Sequence, residues 1–180
     1  DLGSIRSKYD CLLGANLHAA VPVDRHIFAK RLRVWVNADG FIAPLGLTNL
    51  IDFEPGPPAH WRFVASAGDG RCVELHLLVD LLPDQNTVAI QFFRPNGGQR
   101  EARLGKPLPA NAHVSVIVRV DLEDRNFHWE TKRNDAADYH FSSNCRQVCL
   151  GHCLTADTQP SYNGFEFAPT AGRQLRVWTD

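Results

Sequence analysis

Two stretches of this chain gather side chains that can do chemistry. The first is Asp121-Leu122-Glu123-Asp124-Arg125-Asn126-Phe127-His128-Trp129-Glu130. Carboxylates, a guanidinium, an imidazole and an indole in one short run suit a carbohydrate-facing surface. There a flat aromatic covers the apolar face of a sugar ring and charged groups hydrogen-bond its hydroxyls. Arg125, His128 and Trp129 are the candidate binding residues, with Asp124 as an orienting partner. A purely structural reading makes the same run a strand end and turn, with Arg125 bridging carbonyls or carboxylates and Trp129 in the core. Glycosidic acid/base work needs two carboxyls on opposite sides of a bond, and adjacency in sequence does not supply that geometry.

The second stretch is Cys145-Arg146-Gln147-Val148-Cys149-Leu150-Gly151-His152-Cys153, with His140 nearby. Thiolates and imidazole are the preferred ligands of zinc, and Cys145, Cys149, His152 and Cys153 would supply a closed tetrahedral set. Zinc ribbons place two residues between paired cysteines, whereas here both gaps are three. That spacing would stack the thiols on one face of a short helix. Reduced thiols on a loop are the alternative. No nucleophile elbow, Walker loop, dinucleotide fingerprint or zincin motif occurs, so no catalytic residue and no cofactor is assigned.

Strands must position these residues. Val73, Leu75, Leu77, Val79 and Leu81 alternate with Cys72, Glu74, His76 and Asp80, the period of a half-buried strand. The pattern recurs in Val114, Val116, Val118, Val120 and Leu122, and in Val88, Ile90 and Phe92. Further strands are predicted at Tyr9–Leu17, Ile27–Asn37, Trp61–Ala67, Phe127–Lys132, Tyr139–Ser142, Gly164–Phe167 and Gln174–Trp178. Turn signals separate them at Ala38-Asp39-Gly40, Gly68-Asp69-Gly70, Pro83-Asp84-Gln85-Asn86 and Asn96-Gly97-Gly98. No long window keeps a helical apolar period, so the fold class is all-β: mostly antiparallel strands in a two-sheet β-sandwich. Glu54-Pro55-Gly56-Pro57-Pro58 reads as a surface connection. Trp35 and Trp61 read as core, and Lys30-Arg31-Leu32-Arg33 as the solvated face of a strand. The polar, Cys-rich stretch from Asn134 to Tyr162 reads as a long excursion with little sheet.

The chain has 180 residues, 44% of them hydrophobic and 22% charged. One domain over 1–180 of that size buries about 70% of its unfolded surface and folds unaided. A formal net charge of −1 argues against nucleic acid and anionic membrane as partners. Five cysteines are too few for a disulfide scaffold and odd in number, which favours a reducing, cytoplasmic location. No signal segment or spanning run occurs. Asp at position 1 and the lack of any Met give the expectation of a processed protein or an excised piece.

Four runs resemble, in order, the N-terminal domain of bacterial and archaeal-type glycogen debranching enzymes, the amylo-α-1,6-glucosidases. Ser7-Lys8-Tyr9-Asp10-Cys11-Leu12-Leu13 is similar to that family's opening Lys-Tyr-His-Gly-Leu-Leu segment, with Asp10-Cys11 replacing His-Gly. Pro22-Val23-Asp24-Arg25-His26 resembles its Pro-x-x-Arg stretch, and Gln85-Asn86-Thr87-Val88-Ala89-Ile90 its Gly-x-Asn-Thr-Val strand. Glu123-Asp124-Arg125-Asn126-Phe127-His128 and Arg133-Asn134-Asp135 resemble its Tyr-Arg-Asp-Phe-His and Arg-Glu-Asn-Asp run, with Asn126 in place of Asp. The Cys-rich excursion has no counterpart in that pattern.

The resemblance implies a β-supersandwich placed ahead of an α/α toroid in the same polypeptide. The parent activity would be removal of α-1,6-linked glucose from glycogen branch points, in glycogen catabolism. Both catalytic carboxylates would lie on the toroid. This chain has no run of amphipathic helices, so it is expected to be non-catalytic alone, supporting the catalytic domain and contacting α-glucan (glycogen or malto-oligosaccharide). The alternatives are a free-standing carbohydrate-binding β-sandwich and a zinc-stabilised β domain.

Overall fold

The computed structural model describes residues 5–18, 20–21, 24–95, 105–151 and 161–179, with side chains described at all of these except 149–151 and 161–162. The elements are β1 (Leu13–Asn16), β2 (Arg25–Ala38), β3 (Phe41–Leu45), β4 (Leu50–Glu54), β5 (Ala59–Ser66), β6 (Arg71–Leu81), β7 (Val88–Phe93), β8 (Lys106–Pro107), β9 (Val114–Asn126), α1 (Asp135–Asn144), β10 (Cys145–Gly151), β11 (Ser161–Thr170) and β12 (Arg173–Trp178). They fall into two compact units: Asp1–Ala15 with His26–His128, and Asn16–Arg25 with Trp129–Asp180.

The first unit is a sandwich of two largely antiparallel sheets. In one sheet Val34 of β2 pairs with both Leu45 of β3 and Val118 of β9, so β2 lies between those strands, and β1 also pairs with β2. The other sheet runs β4-β5-β6-β7, with β8 pairing parallel at the start of β6. Alternation builds the core. Leu32, Val34, Val36 and Ala38 of β2 meet Phe63 and Ala65 of β5 and Val73, Leu75 and Leu77 of β6. Each large apolar side chain removed from water in this way contributes about 1.5–3 kcal/mol. The turn from β2 to β3 holds Asp39 at φ 54 and Gly40 at φ 96, as a two-residue hairpin requires, and Asn37 Oδ1 accepts from the Gly40 amide. Glu54 to Pro58 is the exposed link from β4 to β5.

The second unit carries α1 and the antiparallel sheet β10-β11-β12. Glu166 on β11 faces Arg146 of β10 and Arg176 of β12 in register, and accepts from both guanidiniums. Phe141 of α1 packs on Phe167 of β11 with ring centroids 5.1 Å apart. Among the described residues no helix is long and apolar enough to cross a membrane.

Several sequence expectations need correction. Tyr139–Ser142 is helix, not strand: Asn134 caps α1 by accepting from the Ala137 amide, and Asp135 and Asp138 sit in its first turn, where carboxylates favour the helix dipole. The stretch 127–134 forms no strand. The excursion from Asn134 to Tyr162 holds both α1 and β10. Lys30 is buried at 8% exposure, not solvated. Trp61 packs on the core, while Trp35 lies half-buried on the opposite face of β2, alongside Arg31, Arg33 and Asn37. The turn signal at Asn96-Gly97-Gly98 lies outside the described residues.

Candidate functional site

The end of β9 and the start of β2 form a junction in the first unit. Bulges in their pairing, between Ile27 and Ala29 and between Ala29 and Arg31, break the period-2 alternation, as bulges do by re-aiming side chains. In consequence His26 to Lys30 are buried on both faces. The segment before β1 supplies part of that cover: the Leu12 amide donates to the Ala29 and Lys30 carbonyls. Lys30 Nζ donates to the Ser7 carbonyl at 3.1 Å and the Lys8 carbonyl at 2.8 Å. Burial and the nearby Arg125 guanidinium hold the Lys30 amine below its usual range.

Arg125 is the centre of this junction. It is 4% exposed and donates from Nη2 to the Lys8 carbonyl at 2.7 Å, from Nη1 to the Phe127 carbonyl at 3.2 Å, and from Nε to Glu123. A planar guanidinium fork suits such a set of convergent acceptors. The neighbouring Asp124 is bonded to His26 Nε2, with side chains 4% and 11% exposed. Asp10 closes the turn that carries Lys8, accepting from the Arg6 and Ser7 amides at 3.0 Å each. Those backbone bonds draw its carboxyl below the usual range. The Asp that departs from the debranching-enzyme pattern therefore has a local structural role.

Above the junction lies an aromatic surface. The Tyr9 ring is 4.7 Å from Phe127 and 5.8 Å from His128, centroid to centroid. The Lys8 ammonium stands 5.3 Å over the Tyr9 ring and donates to the His128 carbonyl. Tyr9 is 42% exposed. A tilted aromatic cluster edged by an imidazole and an ammonium can cover the apolar face of a sugar ring and hydrogen-bond its hydroxyls.

The four predicted carbohydrate-binding residues thus divide. Asp124 and Arg125 are interior and bonded to protein groups, in line with the structural reading of Arg125 as a bridge between carbonyls. His128 is exposed on the aromatic surface. Trp129 is 69% exposed, not core, and belongs to the second unit. Of the carboxyls in this run, Glu123 and Asp124 are both engaged by protein side chains, Arg125 and His26. Sequence reasoning missed Lys30 and His26 as members of the junction, whose partners lie 22 and 98 positions away. It also did not assign Tyr9 and Phe127 to the surface; aromatic types in two motif runs were the available signal.

Of the metal candidates, His152 and Cys153 and the side chain of Cys149 lie outside the described residues. Cys145 carries a free, half-buried thiol, and burial pushes its pKa up. Cys145 and Cys149 stand on strand β10, opposite Phe167 and Asn163, so their Cα atoms are about 13 Å apart at the rise of a strand rather than one helical turn apart. Among the described residues no group of three or more His, Cys, Asp or Glu converges as a metal site. No family model, curated protein or solved structure matches the chain.

Proposed function

We propose that this chain is the non-catalytic N-terminal β-sandwich domain of a glycogen-debranching, α-1,6-glucosidase-type enzyme, supporting a catalytic α/α toroid of the same polypeptide. One observation carries the reading. Three of the four runs that resemble that family, with bonded residues up to 117 positions apart, are joined to one another at a single junction. Arg125 donates to the Lys8 carbonyl, His26 bonds Asp124, and the Tyr9 ring packs tilted against Phe127. Motifs that are scattered in sequence and joined in space support a shared structural task, here fixing the bulged corner of the sandwich. The free thiols of Cys11, Cys72 and Cys145 are in keeping with a cytoplasmic setting.

A second reading, a free-standing carbohydrate-binding module, is favoured by the exposed aromatics Tyr9 and Trp129. Calorimetric titration of the chain with glycogen and malto-oligosaccharides, run beside a hydrolysis assay on isomaltose-type bonds, tests both. The support-domain reading expects no hydrolysis and weak glucan binding. Robust hydrolysis by the chain alone would overturn it, and tight glucan binding would favour the free-standing module.

A further inference from the structure

The outer face of the second sheet of the sandwich carries a cluster that the glucan reading does not use. His60 on β5 and His76 on β6 are diagonal neighbours, since Arg62 pairs with His76 and His60 with Leu78. His60 Nε2 and His76 Nδ1 are 2.9 Å apart. The remaining ring nitrogens each face a carboxylate: His76 Nε2 lies 3.0 Å from Glu74 Oε1, and His60 Nδ1 lies 3.7 Å from Glu54 Oε2. Phe93 of β7 packs on His76 with centroids 4.7 Å apart and stacks with His60 at 6.4 Å. The imidazoles are 21% and 14% exposed, held between this apolar wall and their carboxylates.

That arrangement is the one that orients imidazoles toward a metal. A carboxylate on the far nitrogen fixes the ring and raises the basicity of the nitrogen that points away from it. Here the His76 ring is so backed by Glu74, Glu54 stands 3.7 Å from the far nitrogen of His60, and the other two nitrogens face each other at 2.9 Å. Without metal the two nitrogens share one hydrogen bond. With both rings neutral and Glu74 accepting the His76 Nε2 proton, His76 Nδ1 is a lone pair that accepts from the His60 Nε2–H. A metal takes the place of that proton, which moves to His60 Nδ1 beside Glu54, so no net proton is lost. Two nitrogens on one tetrahedral ion, each about 2.0–2.1 Å from it, stand about 3.4 Å apart. The nitrogens then need to part by about half an ångström, with each ring turning so that its lone pair faces the ion.

We propose that His60 Nε2 and His76 Nδ1 form a seat for an imidazole-preferring divalent ion of the zinc, nickel or copper class, with water filling the other positions. Two protein ligands make an exchangeable site, not a closed structural centre. The seat shares no residue with the Cys145 to Cys153 run or with the Arg125 junction.

The test is a titration of the 15N-labelled chain with zinc chloride, reading long-range proton–nitrogen correlations of the imidazole rings. His60 Nε2 and His76 Nδ1 are expected to move together to metal-bound shifts and saturate, while His60 Nδ1 becomes the protonated nitrogen. Zinc captured by thiols elsewhere moves other signals. Glu74→Gln is expected to weaken zinc at this pair by about 10- to 100-fold, and His76→Gln to abolish the response of His60. Unchanged shifts at both nitrogens in excess zinc, or a response from one ring alone, would overturn the proposal. The wild-type titration decides it even where a variant fails to fold.

Discussion

Removing the Arg125 guanidinium is the sharpest perturbation of the junction, and its cost can be worked from the contacts. Arg125→Ala deletes hydrogen bonds to the Lys8 carbonyl at 2.7 Å and the Phe127 carbonyl at 3.2 Å, a marginal one to the Asn126 carbonyl at 3.4 Å, and the ion pair with Glu123. The Lys8 carbonyl keeps Lys30 at 2.8 Å, so it is not orphaned. Hydrogen bonds to charged groups contribute about 1.5–3 kcal/mol each, and breaking a buried pair from one side costs about 3–5 kcal/mol. Glu123 is 19% exposed on its side chain and can recover some hydration, which places the total near the lower end, about 3–4 kcal/mol. With a urea slope of about 2 kcal/mol per molar, the midpoint falls by about 1.5–2 M. Because the chain has two compact units, the readout must belong to the sandwich: urea unfolding followed by amide resonances of Leu32 to Val36. Arg125→Lys keeps the charge without the fork and is expected to fall between the two. A shift for Arg125→Ala under about 0.5 M, or about 1 kcal/mol at that slope, would refute the idea that this guanidinium ties the junction.

Four further substitutions have outcomes set by the same structure. Burial alone would raise the Asp121 carboxyl, yet hydrogen bonds and charge from Arg33 and Arg31 hold it below its usual range. Since its folded pKa lies under the unfolded one, it adds stability above about pH 4 that is lost as pH falls through the folded value; urea midpoints between pH 2 and 6 should slope less steeply in Asp121→Asn. Phe63 is 1% exposed at the sandwich core, and Phe63→Ala is expected to cost about 3–5 kcal/mol by calorimetry. A Cβ on Gly164 would run into the Val177 carbonyl and the Trp178 backbone, so Gly164→Ala is expected to unzip β12 from β11, seen as lost amide protection along Arg173 to Trp178. Trp129 is 69% exposed, so Trp129→Ala should change stability by under about 0.5 kcal/mol. A loss of malto-oligosaccharide affinity by calorimetry is expected where Trp129 contacts glucan, and unchanged affinity removes Trp129 from the candidate binding residues.

The sandwich was legible wherever a strand buries one face only. Val73, Leu75 and Leu77 alternate with Glu74 and His76 because the core lies on one side, and the sequence carries that period openly. Legibility fails where long-range contacts or irregular backbone intervene. Lys30 reads as solvated, but carbonyls of Ser7 and Lys8 cover it, and no local pattern announces them. Helix α1 buries no residue, so it shows no apolar stripe; its Asn134 cap and acidic first turn were the only signals. The short strands β3 and β4 carry exposed Phe41, Ile42 and Phe53, which blurs their alternation. For the candidate site, the bridging role of Arg125 was readable from its polar setting, whereas the acceptor 117 positions away was not.

The central claim is that these residues form the support domain of a larger debranching-type enzyme. It is tested most directly by sequencing the natural gene downstream of the Asp180 codon. A support domain of this kind is expected to run on into several hundred further residues with repeated amphipathic helices and a pair of acidic residues to serve as acid and base. A stop codon immediately after Asp180 would contradict it.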